Sequence, residues 1–291
     1  MEASDMENTV KFEQSSFSKR LKSMLKVDFR RMFKSRLFYI LIACALLIPV
    51  VMTVMLTMMD GQESVNPQTN EVTVMEGPDS VWQSIGTLPL ENGNAGMSAS
   101  DPAAGGMGGM GDMDVMAMCN INMAFMGVAV FVCLFISDDF RSGYAKNLFT
   151  VRPKKSAYVI SKTLAGFVCG AFMLIAYFIG AMLGGAISSL PFDLVGGLTV
   201  GNIAMCMIAK IFLMAVFVSI FTLISVAAKQ RAWLSICGSL GGGMLLFMMV
   251  AMITPLNSTA INVILCLVGG ALFAVGLGAI SNVVLKKSAL V

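Results

Sequence analysis

The chain has 291 residues, 57% of them hydrophobic and only 13% charged, whereas a soluble domain carries about a quarter charged residues. So little polar material cannot cover a water-facing surface, and a lipid bilayer must be the solvent for most of the chain. There is no histidine, which excludes imidazole acid–base catalysis, histidine-dependent triads, haem ligation through imidazole and His-x-x-Glu-His zinc sites.

Residues 1–36 open the chain as a polar tail of mixed charge followed by a helical pattern from Phe17 to Lys34. Phe17, Leu21, Met24, Leu25, Phe29, Met32 and Phe33 recur at spacings of three and four, and Lys19, Arg20, Lys22, Lys26, Arg30, Arg31 and Lys34 fill the rest. Such a basic amphipathic helix fits the membrane interface, with lipid as its partner. A basic patch for nucleic acid is the other reading, but direct continuation into an apolar run favours lipid, and no nucleic-acid partner is expected. The first apolar run begins only near Leu37, after a long charged stretch, so it reads as a retained span rather than a signal peptide.

Six apolar stretches follow at about Leu37–Met59, Ala117–Ser137, Thr163–Ile187, Ile203–Ala228, Ala232–Ile253 and Ile261–Leu285, each long enough at 1.5 Å per residue to cross roughly 30 Å of hydrocarbon. Residues 37–59 form the first span, residues 60–116 a long outer loop, and residues 117–291 the remaining five spans. Lys210 lies within the fourth stretch, and three readings stay open. It snorkels from a span beginning near Asn202, it marks 199–209 as a surface segment, or it is a buried functional lysine.

Charge patterning sets the orientation. Lys and Arg crowd the segment before the first span and the links at 138–162 and 229–231, and they recur after the sixth span, whereas residues 60–116 have nine acids and no base. Alternation of this kind, under the positive-inside rule, places both termini in the cytoplasm of a multi-pass membrane protein. The fold class expected is therefore an all-α integral membrane bundle of six spans with an N-terminal interfacial helix. Gly166/Gly170, Gly180/Gly184, Gly238/Gly242 and Gly270/Ala274 stand at intervals that let helix backbones approach closely in lipid.

No covalent chemistry is legible. The dipeptide Gly-Lys never occurs, so there is no Walker A phosphate cradle. The spans are almost free of acids, and Ser219, Ser225 and Ser235 have no partner base, so they read as helix-packing groups. The seven cysteines are widely separated without a C-x-x-C pair and read as small buried hydrophobes.

The most distinctive segment is the link at about 138–162, which opens Asp138-Asp139-Phe140-Arg141-Ser142-Gly143-Tyr144-Ala145-Lys146-Asn147-Leu148-Phe149. Gly143 permits a tight turn, and residues 144–150 can form a short helix along the membrane. On this reading Tyr144, Lys146 and Phe149 are exposed and dock into a partner's groove. Here the chain resembles the permease subunits of the type-2 ABC exporter family, which show an acidic residue, a Gly-Thr or similar pair and then Asn-Leu between their second and third spans. The likeness extends to the interfacial "elbow" helix, carried by Phe17, Leu21, Leu25, Phe29, Arg30 and Arg31, and to the six-span topology.

What this resemblance implies is a coupling helix at Gly143–Thr150 with Asp139, Gly143, Tyr144, Lys146, Asn147, Leu148 and Phe149 facing a separate ATP-binding subunit. ATP and Mg would be held by that subunit, and this chain would bind no cofactor and have no enzyme activity of its own. A second permease subunit, identical or paralogous, completes the expected assembly. Tyr144 stands where the family often has threonine, and the large outer element follows the first span instead of the fifth, which within the resemblance implies a bacterial subgroup and so a bacterial cell membrane. The expected substrate is a peptide antibiotic or another amphipathic compound. Two alternatives stand beside this. One is a non-transporting membrane scaffold or sensor. The other is a copper-related ABC permease, because Met107, Met110, Met113, Met116 and Met118 supply soft thioethers suited to Cu(I). A Gly/Met-rich linker is the plainer account of that stretch.

Overall fold

The computed structural model describes residues 17–65, 72–74, 78, 80–85, 120–151, 155–194, 198–229 and 231–287. The N-terminal tail, the Met-rich stretch, Arg152, Pro153, Lys154 and most of the outer loop lie outside the described residues.

Helix α1 (Phe17–Lys34) follows the amphipathic pattern, and α2 (Arg36–Met59) continues almost directly from it. Two short strands, β1 (Glu63–Val65) and β2 (Val72–Val74), then pair antiparallel, Ser64 opposite Thr73, and a 3-10 turn covers Val81–Ser84. The outer loop therefore carries local structure that its composition did not announce. The rest is helical: α3 (Met123–Arg141), α4 (Tyr144–Val151), α5 (Ser156–Ile187), α6 (Val200–Ala228), α7 (Ala232–Ile253) and α8 (Ala260–Lys287).

Among the described residues, α2, α3, α5, α6 and α8 are long and apolar enough to cross a membrane, five where the sequence led us to expect six. Helix α7 holds a shorter apolar run, Ala232–Phe247. The chain is a multi-pass helical membrane protein. Its lipid-facing character shows in α8, where Ile261, Leu272, Phe273 and Val275 are more than half exposed. In water such an apolar surface would not persist, and in hydrocarbon it costs nothing.

Two helices reach further into the link between the second and third spans than expected. The second span was expected to end at Ser137 and the third to begin at Thr163, but α3 runs on through Asp139 and α5 starts at Ser156. In sequence a charged residue at the end of an apolar run reads as a membrane exit, yet ion pairing keeps Asp139 and Lys162 inside the helices.

Helix α3 sits centrally against α5, α6 and α7, while α2 lies along α5 and α6 along α8. The core between them is aromatic, with Phe125 against Phe217 at 4.6 Å between centroids and Phe131 stacked on Phe135 at 5.3 Å. The small-residue reading holds best on α5. A Cβ at Gly180 would run into the carbonyl oxygen of Leu46, and one at Gly184 would stand 3.0 Å from the Cα of Val50. Glycine is required there because two backbones touch. Gly270 likewise lies against the Phe212 carbonyl, Gly238 faces only the Ile224 side chain, 3.1 Å from where a Cβ would stand, and Gly242 has ordinary contact distances around it.

The two ends of the bundle are built differently. One end carries α1, α4, the start of α5 and the end of α8, where the Lys155 ammonium donates to the Leu285 carbonyl at 2.9 Å. At the opposite end the 3-10 turn is tied down. Val81 N–H donates to Pro191 O, Trp82 Nε1–H to Phe192 O at 3.2 Å and Ile121 N–H to Ser84 O at 2.9 Å. A small apolar cluster of Ile85, Ala181, Leu198, Ile203 and Leu256 seals that end.

Candidate functional site

At the α1 end, four charged side chains from three helices meet inside the protein. Lys162 on α5 donates to Asp28 Oδ1 of α1 at 2.8 Å and lies 2.6 Å from Asp139 Oδ2 of α3. Asp28 Oδ2 accepts from the Ser161 hydroxyl at 2.5 Å. Asp139 Oδ1 accepts from the Arg31 guanidinium at 2.6 Å, and its other oxygen accepts from Tyr158 at 3.1 Å. Asp28, Asp139 and Lys162 are fully buried, and Arg31 is about a third exposed at its side chain.

The charge sum is zero, with two carboxylates against an ammonium and a guanidinium. That balance lets the cluster exist, since an isolated buried ion would cost several kcal/mol. Aromatic rings complete the shell. The Lys162 ammonium stands 4.0 Å from the Phe135 ring centre, and the Arg31 guanidinium 4.6 Å from that of Tyr144. Burial alone would lower the affinity of Arg31 for its proton. The charge of Asp139, its hydrogen bond and the charge of Asp28 outweigh that and raise the guanidinium above its ordinary value.

Helix α4 hangs on this cluster. Gly143 adopts φ +74°, the left-handed conformation that only glycine takes without strain, and it turns the chain from α3 into α4. The short helix forms at Tyr144–Val151 as the sequence indicated, but its aromatic side chains turn the other way from that expectation. Phe149 is buried, edge-on to Tyr158 at 5.2 Å and under the Lys155 ammonium at 5.5 Å. Tyr144 is half-buried beneath Arg31, and Leu148 packs on the core. The reason is hydrophobic: an eight-residue helix is stable only when it buries its apolar face. Among the described side chains of α4, Lys146, Asn147 and Thr150 are exposed, with Arg141 just before the helix.

The elbow residues divide similarly. Phe17 and Arg30 are exposed, Leu21, Leu25 and Phe29 are partly buried, and Arg31 enters the cluster. Sequence reasoning passed over Asp28 and placed Lys162 at the mouth of a span. A signal for Asp28 was present, because it falls four residues after Met24 and four before Met32, on the apolar stripe of α1. An acid on that stripe demands a buried cation.

Two further polar groups lie within the bundle. Cys133, Ser225, Ser235 and Ser239 join α3, α6 and α7, with Ser235 Oγ–H donating to Ser225 Oγ at 2.8 Å and Cys133 Sγ–H to Ser239 Oγ at 3.1 Å. These hydroxyls do pack helices, whereas Ser219 bonds within its own helix to Ala215 O. Cys133, Cys169, Cys206 and Cys266 are buried and free, while Cys44 and Cys237 are exposed; Cys119 lies outside the described residues. The second group contains Lys210, which is wholly buried rather than at a headgroup or in a surface segment. Its ammonium donates to Asn122 Oδ1 at 2.8 Å and to Thr254 Oγ1 at 3.0 Å.

Compared with protein-family models, with curated proteins and with solved structures, the chain matches none.

Proposed function

We propose that this chain is the membrane-spanning permease subunit of an ATP-driven ABC exporter. In this reading α7, 22 residues and so about 33 Å long, is the fifth of six crossings, and α1 is the interfacial elbow. The end bearing α1 and α4 faces the cytoplasm, where Lys and Arg concentrate. A separate ATP-binding subunit, holding ATP and Mg, engages Arg141, Lys146, Asn147 and Thr150. A second permease subunit completes the transporter, and its substrate is a peptide antibiotic or another amphipathic compound.

The observation that carries the reading is the joint between α4 and the membrane helices. A push on α4 reaches Tyr144 and Phe149, then Arg31, Tyr158 and Asp139, and so moves α1, α3 and α5 together. A loop that merely connected two spans would not need a buried four-charge cluster beneath it. Neutral packing would serve stability as well.

Purification of the chain from its native membrane in mild detergent is expected to bring an ATP-hydrolysing subunit with it. Lys146→Glu is expected to release that subunit while leaving the chain folded. A chain that purifies alone and is indifferent to Lys146→Glu would instead be a membrane scaffold or sensor.

A further inference from the structure

We infer that Lys210 is a release latch that biases the bundle to open at the end opposite α1 and α4. Of the 20 Lys and Arg in the chain, Lys210 alone falls between the second and third basic segments, 138–162 and 229–231, within a span. It lies on α6 and holds together the start of α3 through Asn122 and the end of α7 through Thr254.

Its chemistry is the reverse of that of Lys162. Both ammonium groups are wholly buried. Lys162 has two carboxylates and a net-neutral cluster, whereas among the described residues no carboxylate pairs with Lys210. Thr254 Oγ–H is itself committed to Val250 O at 2.7 Å, so it offers Lys210 only a lone pair. The titratable neighbours are Cys206 on α6 and Cys266 on α8, both buried. Cys206 is further tied to Thr254 O at 3.5 Å.

A buried amine with two neutral acceptors forgoes most of its hydration and gains no counter-charge. Admitting water at this end restores that hydration and loses only two hydrogen bonds. Parting the opposite end would separate buried ion pairs. The closed state is thus under tension at one end alone. The latch belongs to this chain and acts whether or not an ATP-binding subunit drives it.

Backbone hydrogen–deuterium exchange of the purified chain in lipid nanodiscs tests this directly. The segments to follow are 121–125 and 250–254, with 138–143 as the reference. Lys210→Met removes the hydration gained on opening, and it is expected to slow exchange in 121–125 and 250–254 by about threefold or more, leaving 138–143 unchanged. Thr254→Val removes one acceptor but keeps the amine, and is expected to speed the same segments. If Lys210→Met exchanges as fast as the parent, or faster, Lys210 is a simple tie and the inference is wrong. Should Lys210→Met fail to fold, Thr254→Val decides, and unchanged or slower exchange overturns the inference.

Discussion

Asp28, in the fourth turn of α1, and Lys162, in the second turn of α5, meet at 2.8 Å where neither side chain reaches solvent. Because Lys162 also lies 2.6 Å from Asp139, it separates two carboxylates that would otherwise repel across the same cavity. Lys162→Met is expected to cost about 3–5 kcal/mol, the magnitude for stranding a buried charge. Adding Asp28→Asn removes one of the stranded acids. The double variant should therefore lose less than the sum of the two single variants in thermal unfolding of the detergent-solubilised protein. Simple additivity would mean the two groups do not interact.

Arg31 stacks on Tyr144 and bonds Asp139, a geometry that a planar guanidinium satisfies and an ammonium does not. Arg31→Lys is expected to lower the unfolding midpoint. The pH dependence has a definite sign. With its value raised in the folded state, Arg31 contributes stability that is complete below the ordinary guanidinium range and is lost only as pH rises through the raised value. The stability difference between the parent and Arg31→Lys should thus stay flat from about pH 6 to about pH 9, well below both groups' ordinary values. A slope across that window would contradict the pairing.

Gly143 at φ +74° has nothing within 4 Å of where a Cβ would stand, so a side chain there meets conformational strain and no clash. Gly143→Val should cost about 1–3 kcal/mol, and Gly143→Asn less, because asparagine tolerates the left-handed region. In the complex with the proposed ATP-binding subunit, Gly143→Val is expected to leave hydrolysis running without transport. Equal effects of Val and Asn, read by unfolding midpoint and by coupled activity, would show that the turn is not the constraint.

The two faces of α4 should respond differently to substitution. Phe149→Ala empties a site packed against Tyr158 and is expected to cost about 3 kcal/mol or more. Lys146→Ala, on the exposed face, should change stability by no more than about 0.5 kcal/mol. Unfolding midpoints of the two variants, measured side by side, check the inward placement of Phe149.

Gly180→Ala forces a Cβ against the Leu46 carbonyl, with Pro49 Cγ at 2.7 Å as the next obstacle, and should destabilise by about 1–3 kcal/mol. Gly276, on α8, has open space around it, so Gly276→Ala is expected to add about 0.5–1 kcal/mol. A loss at Gly276 in lipid, but not in detergent, would reveal a second chain packed on α8.

How far the sequence could be read follows from which physical signals are local. Apolar length located α2 and α8 to within two residues, because the hydrocarbon requirement acts on each span by itself. The turn at Gly143 and the helix at Tyr144–Val151 were also local signals, glycine followed by helical spacing. The inward turn of Phe149 was not, since it depends on Tyr158 arriving from α5. Nor was the extension of α3 through Asp139, because a charge reads as a membrane exit until its partners 108 residues earlier on α1 are known. Lys210 shows the same limit. Its neutral acceptors come from α3 and α7, and no window around residue 210 contains them.

The bond from Lys155 to the Leu285 carbonyl brings the exit of the last helix beside the junction of α4 and α5. A fluorophore attached at the exposed Lys286 therefore lies next to the region on which an energising partner would press. Paired with a second dye at the exposed Lys22 of α1, it gives a vantage point for following that pressure in single molecules without disturbing any buried group or the contact face of α4.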